Sequence, residues 1–256
     1  MTNKQRTDLI EQHIRDSKYA DLRTLADRYG SSLSTVRRAL DTLEARGLVR
    51  RHHGGASLIE QPDALSQEYD FLARIQKQAD QKFAIASLIA EQIEPGMTVI
   101  LDGGTSTYAV ARLLAEKRVR VITNSLPIAS LFGEVGNVET IVTGGSILGR
   151  LGLLAGPLCE ASLDQVHAEI AILGGTGITE SGVWNHNALI IAAQRKMMAA
   201  AERSVFALDA TKFGRKALSL IAPHGKKMTV VTNTRPAPPV VQAIHAAGGK
   251  LTVAGA

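Results

Sequence analysis

The chain has 256 residues, 45% hydrophobic and 21% charged, the composition of a globular protein able to bury a sizeable core. Its longest purely apolar run, Ala188-Leu-Ile-Ile-Ala-Ala193, is far short of the roughly 20 residues a membrane span requires. A lone cysteine, Cys159, excludes an intrachain disulfide and a cysteine-cluster metal site, and neither metal nor cofactor is expected. The net charge of +5 is unevenly placed, because residues 1–58 hold 11 Lys/Arg against 7 Asp/Glu. Such asymmetry points to a polyanionic partner for the N-terminal segment, with a solvated basic face as the plain alternative. No apolar core region follows Met1, so no secretion signal is visible. A cytoplasmic protein without membrane association is the expectation.

In chain order, Leu9, Ile10, His13 and Ile14 give a first helical stripe. Leu22, Leu25, Ala26 and Tyr29 fall at i, i+3, i+4 and i+7 and give a second. Asp21 stands at its cap position, Gly30 is placed to end it, and Ser32 to cap a third helix. In that third helix Leu33, Val36, Leu40 and Leu43 share an inward face. Ser34, Thr35, Arg37, Arg38 and Asp41 remain outside, and Gly47 closes the helix. From Leu48 to Ile59 two short runs flank His53-Gly54-Gly55, a hairpin whose glycines supply the positive φ of a tight turn. These elements make a small winged helix-turn-helix over residues 1–58. In this motif the second helix of the pair lies in the major groove. The hydroxyls of Ser34 and Thr35 can approach bases or phosphates closely. Arg37 and Arg38 can take phosphates, or guanine in bidentate form. The wing adds Arg50, Arg51, His52 and His53, and the expected partner is double-stranded operator DNA.

Residues 59–76, around Pro62, lose any clean period and read as a linker. Lys82 to Ile93 reads as a helix ending at Pro95-Gly96. Strand-like runs at 98–101, 119–123, 138–143, 169–173, 205–208, 229–231 and 250–253 then alternate with helical patterns. This indicates an α/β domain over 77–256 with a mainly parallel, helix-covered sheet. Four of its loops are chemically distinctive: Asp102-Gly-Gly-Thr-Ser-Thr107, Thr123-Asn-Ser125, Thr143-Gly-Gly-Ser146 and Asp209-Ala-Thr-Lys-Phe-Gly214. Loops at the carboxyl ends of parallel strands converge on one crevice. Glycines let backbone N–H groups reach an anion, hydroxyls add donors, and a lysine balances charge. One such loop often does no more than start a helix. Four together point to a convergent polar site.

The N-terminal residues Arg6, Leu25-Ala26, Tyr29-Gly30-Ser31-Ser32, Thr35-Val36-Arg37-Arg38-Ala39-Leu40, Leu43-Glu44, Gly47 and Arg51-His-His-Gly-Gly-Ala56 resemble the signature of the DeoR family of bacterial transcriptional regulators. Two positions depart from that pattern, Ser31 in place of a valine and Ala39 in place of an aspartate. The four loops resemble the effector domain of the same family, which is similar to ribose-5-phosphate isomerase and senses phosphorylated sugars or related metabolites. The resemblance implies that Asp102, Gly103, Gly104, Thr105, Ser106 and Thr107 hold phosphate or sugar hydroxyls, with Asn124, Ser125, Gly144, Gly145 and Lys212 nearby. It also picks out Gly182-Val-Trp-Asn-His-Asn187, where Trp184 and His186 are either a lid or packing residues. The isomerases' acidic stretch Asp-Gly-Ala-Asp-Glu has no counterpart here, since Asp164, Glu169 and Glu180 are scattered. The expectation is therefore a regulator with no catalytic residues. It would act as a repressor of a carbohydrate catabolism operon, released by a sugar phosphate and working as a homodimer or homotetramer. A ligand-dependent activator and an isomerase-like enzyme are the alternatives.

Overall fold

The computed structural model describes residues 3–17, 19–45, 48–52, 54–58 and 71–254. Gly47, His53 and residues 59–70 of the expected linker lie outside the described residues. The chain divides into two compact units, Met1–Gln67 and Glu68–Ala256.

In the first unit, helices Asn3–Ser17, Leu22–Arg28 and Leu33–Ala45 precede a hairpin of strands Val49–His52 and Gly55–Leu58. Ile10, Ile14, Leu25, Val36, Leu40, Leu43 and Val49 are fully buried in one shared core. Two residues expected inside turn outward, Leu9 at 44% exposure and Leu33 at 41%. Ile10 and Ile14, one turn apart, set the inward direction of the first helix, and Leu9 stands one helical step off it. Leu33 opens the third helix, and Ala39 joins the buried face further along. Asp21 caps the second helix by accepting from Arg23 N at 2.7 Å and Thr24 N at 3.3 Å. At the other end Gly30 takes φ 55°, its N–H donates to Asp27 O, and Ser31 N donates to Ala26 O. This pair of bonds is how a left-handed glycine satisfies a helix's last carbonyls. A third strand, Tyr19–Asp21, was not expected. It pairs antiparallel with Gly55–Leu58, which lies between it and Val49–His52. The approach demands a glycine, because a Cβ on Gly55 would stand 2.3 Å from Ala20 O.

The second unit is built on a seven-stranded, all-parallel sheet. Its order is Lys250–Val253, Met228–Thr232, Ala201–Ala207, Ala168–Leu173, Thr98–Leu101, Arg120–Thr123 and Glu139–Val142. All seven expected strands are in it. Alternate residues feed two cores, as the two-residue period of a strand requires. Val99, Leu101, Ile170 and Ile172 pack with Ile85, Val110, Leu114 and Phe132 on one face. Ile100, Ala171 and Leu173 pack with Leu163, Ile191, Met197 and Ile244 on the other. Helices cover both faces, which is why these strands read as continuous apolar runs.

Two small antiparallel elements were not anticipated: a hairpin of Ser146–Leu148 and Leu153–Ala155, and a sheet of Gly177–Thr179, Gly182–Asn185 and Ser219–Ala222. The linker expectation is corrected at its end. Phe71–Ile75 is a short helix, with Phe71 buried edge-on against Tyr108 at 5.4 Å between ring centroids. Burial of that ring outweighs the polar character of its neighbours. The following helix runs Ala79–Ala90, starting earlier than expected.

Candidate functional site

The third helix of the first unit presents its basic face to solvent. Ser32 starts it, with its Oγ accepting from Thr35 N at 3.3 Å and lying 2.9 Å from both Ser34 Oγ and Thr35 Oγ1. The two expected hydroxyls are thus gathered at the helix's first turn. Arg37 and Arg38 are exposed, and among the described residues neither pairs with a carboxylate. Arg38 Nε donates to Ser34 O, one turn back on its own helix, at 3.4 Å. Arg51 differs. Its guanidinium is ion-paired with Asp41, and its backbone N donates to Glu44 Oε1 at 2.9 Å. This pairing ties the wing to the helix and neutralises Asp41, which stands one turn on from Arg37 and Arg38 in the same helix. His52 is exposed, its Nε2 2.8 Å from Ser57 Oγ and its ring tilted against Tyr19.

In the second unit, the chain runs outward from Thr98–Leu101 through Arg120–Thr123 to Glu139–Val142, then returns to place Ala168–Leu173 on the other side of Thr98–Leu101. A parallel sheet opens a crevice at such a reversal, beyond its carboxyl ends. Asp102 sits at that point and is 1% exposed. Its Oδ1 accepts from Gly103 N at 2.8 Å, and its Oδ2 accepts from Gly174 N at 3.3 Å and Gln194 Nε2 at 2.7 Å. Gln194 also donates to Gly174 O and accepts from Asn185 Nδ2. Burial raises the Asp102 carboxyl to about 6, against the lowering effect of Gln194, Gly174 and Gly103. The carboxylate is a clasp holding the loop across the switch point.

The rest of the loop separates into packing and presenting positions. A Cβ on Gly103 would meet Leu153 Cδ2 at 1.7 Å, and one on Gly145 would meet Ala155 O at 2.7 Å. These two glycines make room for the unanticipated hairpin. Gly104, at φ 148°, leads into helix Thr105–Leu114 without any side-chain cap on its first N–H groups. Those donors are an anion-binding feature of a helix start. Thr105 and Thr107 are buried, Thr107 Oγ1 donating to Gly104 O at 2.9 Å, and Ser106 is half-buried. On the adjacent loop Ser125 caps its own helix, accepting from Ile128 N at 3.4 Å. Asn124 is 1% exposed and donates to Leu154 O at 3.1 Å, while its Oδ1 is buried without a hydrogen-bond partner. Gly144 is exposed with φ 71°.

Lys212 ends the turn Ala210–Lys212 after strand Ala201–Ala207, on the same carboxyl edge as the cradle but beyond Ala168–Leu173. Asp209 caps that turn through Thr211 N at 2.9 Å. Trp184 and His186 lie at the small sheet. Trp184 Nε1 donates to Thr179 Oγ1 at 2.9 Å, its carbonyl accepts from Thr176 N, and Lys216 Nζ lies 5.8 Å from its ring centroid. The ring is thus tethered through its Nε1.

Two polar residues outside every motif named above are buried. Gln194 completes the clasp on Asp102. Lys82 is buried and donates to Arg74 O at 2.7 Å and to Lys77 O. Burial first, then the Arg74 charge, lowers Lys82 to about 8; Asp209 opposes this, and Lys212 and Lys77 add to it. Both were visible as polar residues on apolar stripes. Lys82 precedes Ile85, Ala86 and Ile89 at helical spacing, and Gln194 sits between Ile190 and Met197.

A DNA-reading three-helix unit with a wing, joined to an α/β unit whose glycine loops gather at a switch point, defines a transcriptional regulator with a sensor domain. The chain belongs to the DeoR family: residues 6–62 match the DeoR-like helix-turn-helix domain and residues 77–234 the DeoR C terminal sensor domain. It is 31% identical over 229 residues to the L-fucose operon activator of Haemophilus influenzae, covering 89% of this chain and 91% of that protein. It is 30% identical over 249 residues to the glycerol-3-phosphate regulon repressor of Escherichia coli K12, covering 95% and 96%. Among solved structures, ribose 5-phosphate isomerase A from Methanocaldococcus jannaschii aligns over 54% of this chain and 55% of its own, with 16% identity and a TM-score of 0.40. A likeness that shallow has no bearing on activity.

Proposed function

We propose that this regulator binds operator DNA through the helix Leu33–Ala45 and represses a carbohydrate-use operon until a sugar phosphate or related metabolite occupies the cradle at Asp102–Thr107. The observation that supports sensing most directly is the uncapped, glycine-led start of helix Thr105–Leu114 at the switch point. Phosphate oxygens would accept from its first N–H groups, Lys212 would balance their charge, and a sugar hydroxyl would donate to the unpartnered Asn124 Oδ1. Repression and a phosphorylated effector are favoured by the name of the glycerol-3-phosphate relative. The fucose-operon relative, named an activator, favours the opposite response to ligand as the second reading.

Catalysis forms no part of this reading. Asp164 is ion-paired with Lys196 at 2.7 Å, Glu169 accepts from Thr98 N at 2.9 Å, and Glu180 is exposed. Asp102 is occupied by three donors, so these acids form no acid/base pair around the cradle. An even oligomer on repeated half-sites and a cytoplasmic location complete the proposal; among the described residues no helix is long and apolar enough to cross a membrane.

A thermal-shift screen of sugars and sugar phosphates identifies the ligand, since occupancy at about 100 times Kd adds about 2.7 kcal/mol. Gel shifts with and without that ligand then separate repressor from activator. Thr105→Ala and Lys212→Ala should retain DNA binding and lose the ligand response. Loss of DNA binding without ligand would instead make the cradle a purely structural feature. Turnover of the bound sugar phosphate would sink the sensor reading in favour of an enzyme.

A further inference from the structure

Helix Phe71–Ile75, the turn after it and the start of helix Ala79–Ala90 form a strap within the second unit. Helices Ala79–Ala90 and Thr105–Leu114 pack side by side in one core. Their far ends meet where Lys117 Nζ donates to Ala90 O at 2.7 Å and to Ile93 O at 2.8 Å. The two helices therefore run in the same direction, and their starts share the sheet edge that holds the cradle. At that edge Phe71 packs edge-on against Tyr108, whose backbone N donates to Gly104 O in the first turn of the cradle helix. Lys82 lies one turn into its own helix, 5% exposed, and donates to Arg74 O at 2.7 Å and to Lys77 O. The strap is thus fastened by a ring against the cradle helix and by a buried ammonium on its turn.

Two features work against this seat. Among the described residues no carboxylate pairs with Lys82. A buried ammonium without a counter-ion is unfavourable, and two carbonyls take only two of its three N–H groups. The charge of Asp209 acts on it favourably, but those of Arg74, Lys212 and Lys77 act against it. The second feature is Gln78, between the two helices, at φ 51° and ψ 41°. Among the described residues it is the one non-glycine with a positive φ. Strain of this kind persists only where the surroundings hold it. What Lys82 lacks is a full negative charge beside it, and the adjacent start of helix Thr105–Leu114 is where an effector's anion would lie.

We propose that the strap at 71–78 reports whether the cradle is occupied. An anion at the start of helix Thr105–Leu114 supplies the counter-charge that Lys82 lacks, so an occupied cradle and a seated strap stabilise one another. The proposal rests on the cradle as the effector site and adds how its occupancy is passed on. The effect is reciprocal by linkage: whatever the anion adds to the strap's stability, the seated strap adds to the anion's affinity. Along the chain, residues 59–70 join the strap directly to the helix-turn-helix segment. The strap is therefore the first part of the second unit through which a change at the cradle can reach the DNA reader. Lys82 couples the two through its charge, whereas Phe71 and Gln78 set how firmly the strap is seated.

The test uses the full-length chain with inorganic phosphate as the probe, against chloride at equal ionic strength. Calorimetry reads phosphate binding, and hydrogen–deuterium exchange reads the backbone amides of residues 75–78. The chains compared are wild type, Thr105→Ala, Lys82→Met, Lys82→Gln and Phe71→Leu. Saturating phosphate should slow exchange of the strap in wild type by about fivefold or more, the size of an ordinary coupling between sites. Thr105→Ala should lose both the heat and the slowing. Lys82→Met should bind phosphate about fivefold or more weakly and show no slowing. Lys82→Gln, which keeps a donor for the carbonyls but no charge, serves if Lys82→Met lowers the thermal midpoint. Phe71→Leu should exchange faster than wild type without phosphate and still be slowed by the same factor, because its ammonium is intact.

Phosphate that binds in a Thr105-dependent way but leaves strap exchange unchanged, or speeds it, overturns the coupling while the cradle stands. Slowing that persists in both Lys82 variants overturns it as well, because the link would not run through the ammonium. No binding by wild type, or binding undiminished in Thr105→Ala, removes the cradle reading and the coupling with it.

Discussion

The two units handle their polar signature residues in opposite ways. On helix Leu33–Ala45, Arg37 and Arg38 stand exposed and without acidic partners among the described residues. At the cradle, Asp102, Thr105, Thr107, Asn124 and Ser125 are buried, and most of their polar atoms bond to the protein itself. The reason is the size of what each must meet. A duplex arrives from outside and is met by side chains left in water, while a small ligand is met by backbone donors that buried side chains hold in place. On the proposed function, a motif residue at the first site is a contact, and at the second it is as often a support.

The largest expected effect tests the support role. Asp102→Ala would leave Gly103 N and Gly174 N without their acceptor and Gln194 Nε2 with only Gly174 O, and should lower the stability of the second unit by about 3 kcal/mol or more in chemical denaturation. A change below about 0.5 kcal/mol would erase the contrast between the units. Next, Gly103→Ala should cost about 1–3 kcal/mol through overlap with Leu153, and Leu153→Ala in the same chain should recover part of it.

A smaller effect appears in pH. Because the Asp102 pKa is raised from 3.8 to about 6 in the folded state, its contribution is fully present below the unfolded value and is lost as pH rises through 6. The thermal midpoint of wild type should carry this decline between about pH 4 and pH 6, and Asp102→Asn should remove it. The smallest change in stability belongs to the first unit. Arg37→Ala should leave unfolding within about 0.5 kcal/mol of wild type while weakening duplex binding and flattening its salt dependence. A clear loss of stability there would mean that the exposed arginine also supports its own fold.

The same contrast governs what could be read from residues alone. The seven sheet strands were legible because burial on both faces leaves unbroken apolar runs. The helix ends at Asp21, Gly30 and Ser32 were legible because capping chemistry is local. Strands such as Ser146–Leu148 and Leu153–Ala155, three residues each, are too short to show a period. Without that hairpin, Gly103 and Gly145 read as ligand-facing, although their missing side chains make space for Leu153 and Ala155. Arg51 was legible as basic, but its pairing with Asp41 depends on how the wing folds back onto the third helix.

The clasp at Asp102 also bears on the order in which the chain assembles. Its carboxylate joins groups 72 and 92 residues further along, at Gly174 and Gln194. The hydrogen bonds that order the first unit close over much shorter loops, as in Leu22 N to Gly54 O. Long loops close more slowly than short ones. During synthesis the helix-turn-helix unit can thus be complete while the cradle still awaits the helix bearing Gln194, so a nascent chain finishes its first unit before the loop at Asp102 can be fastened.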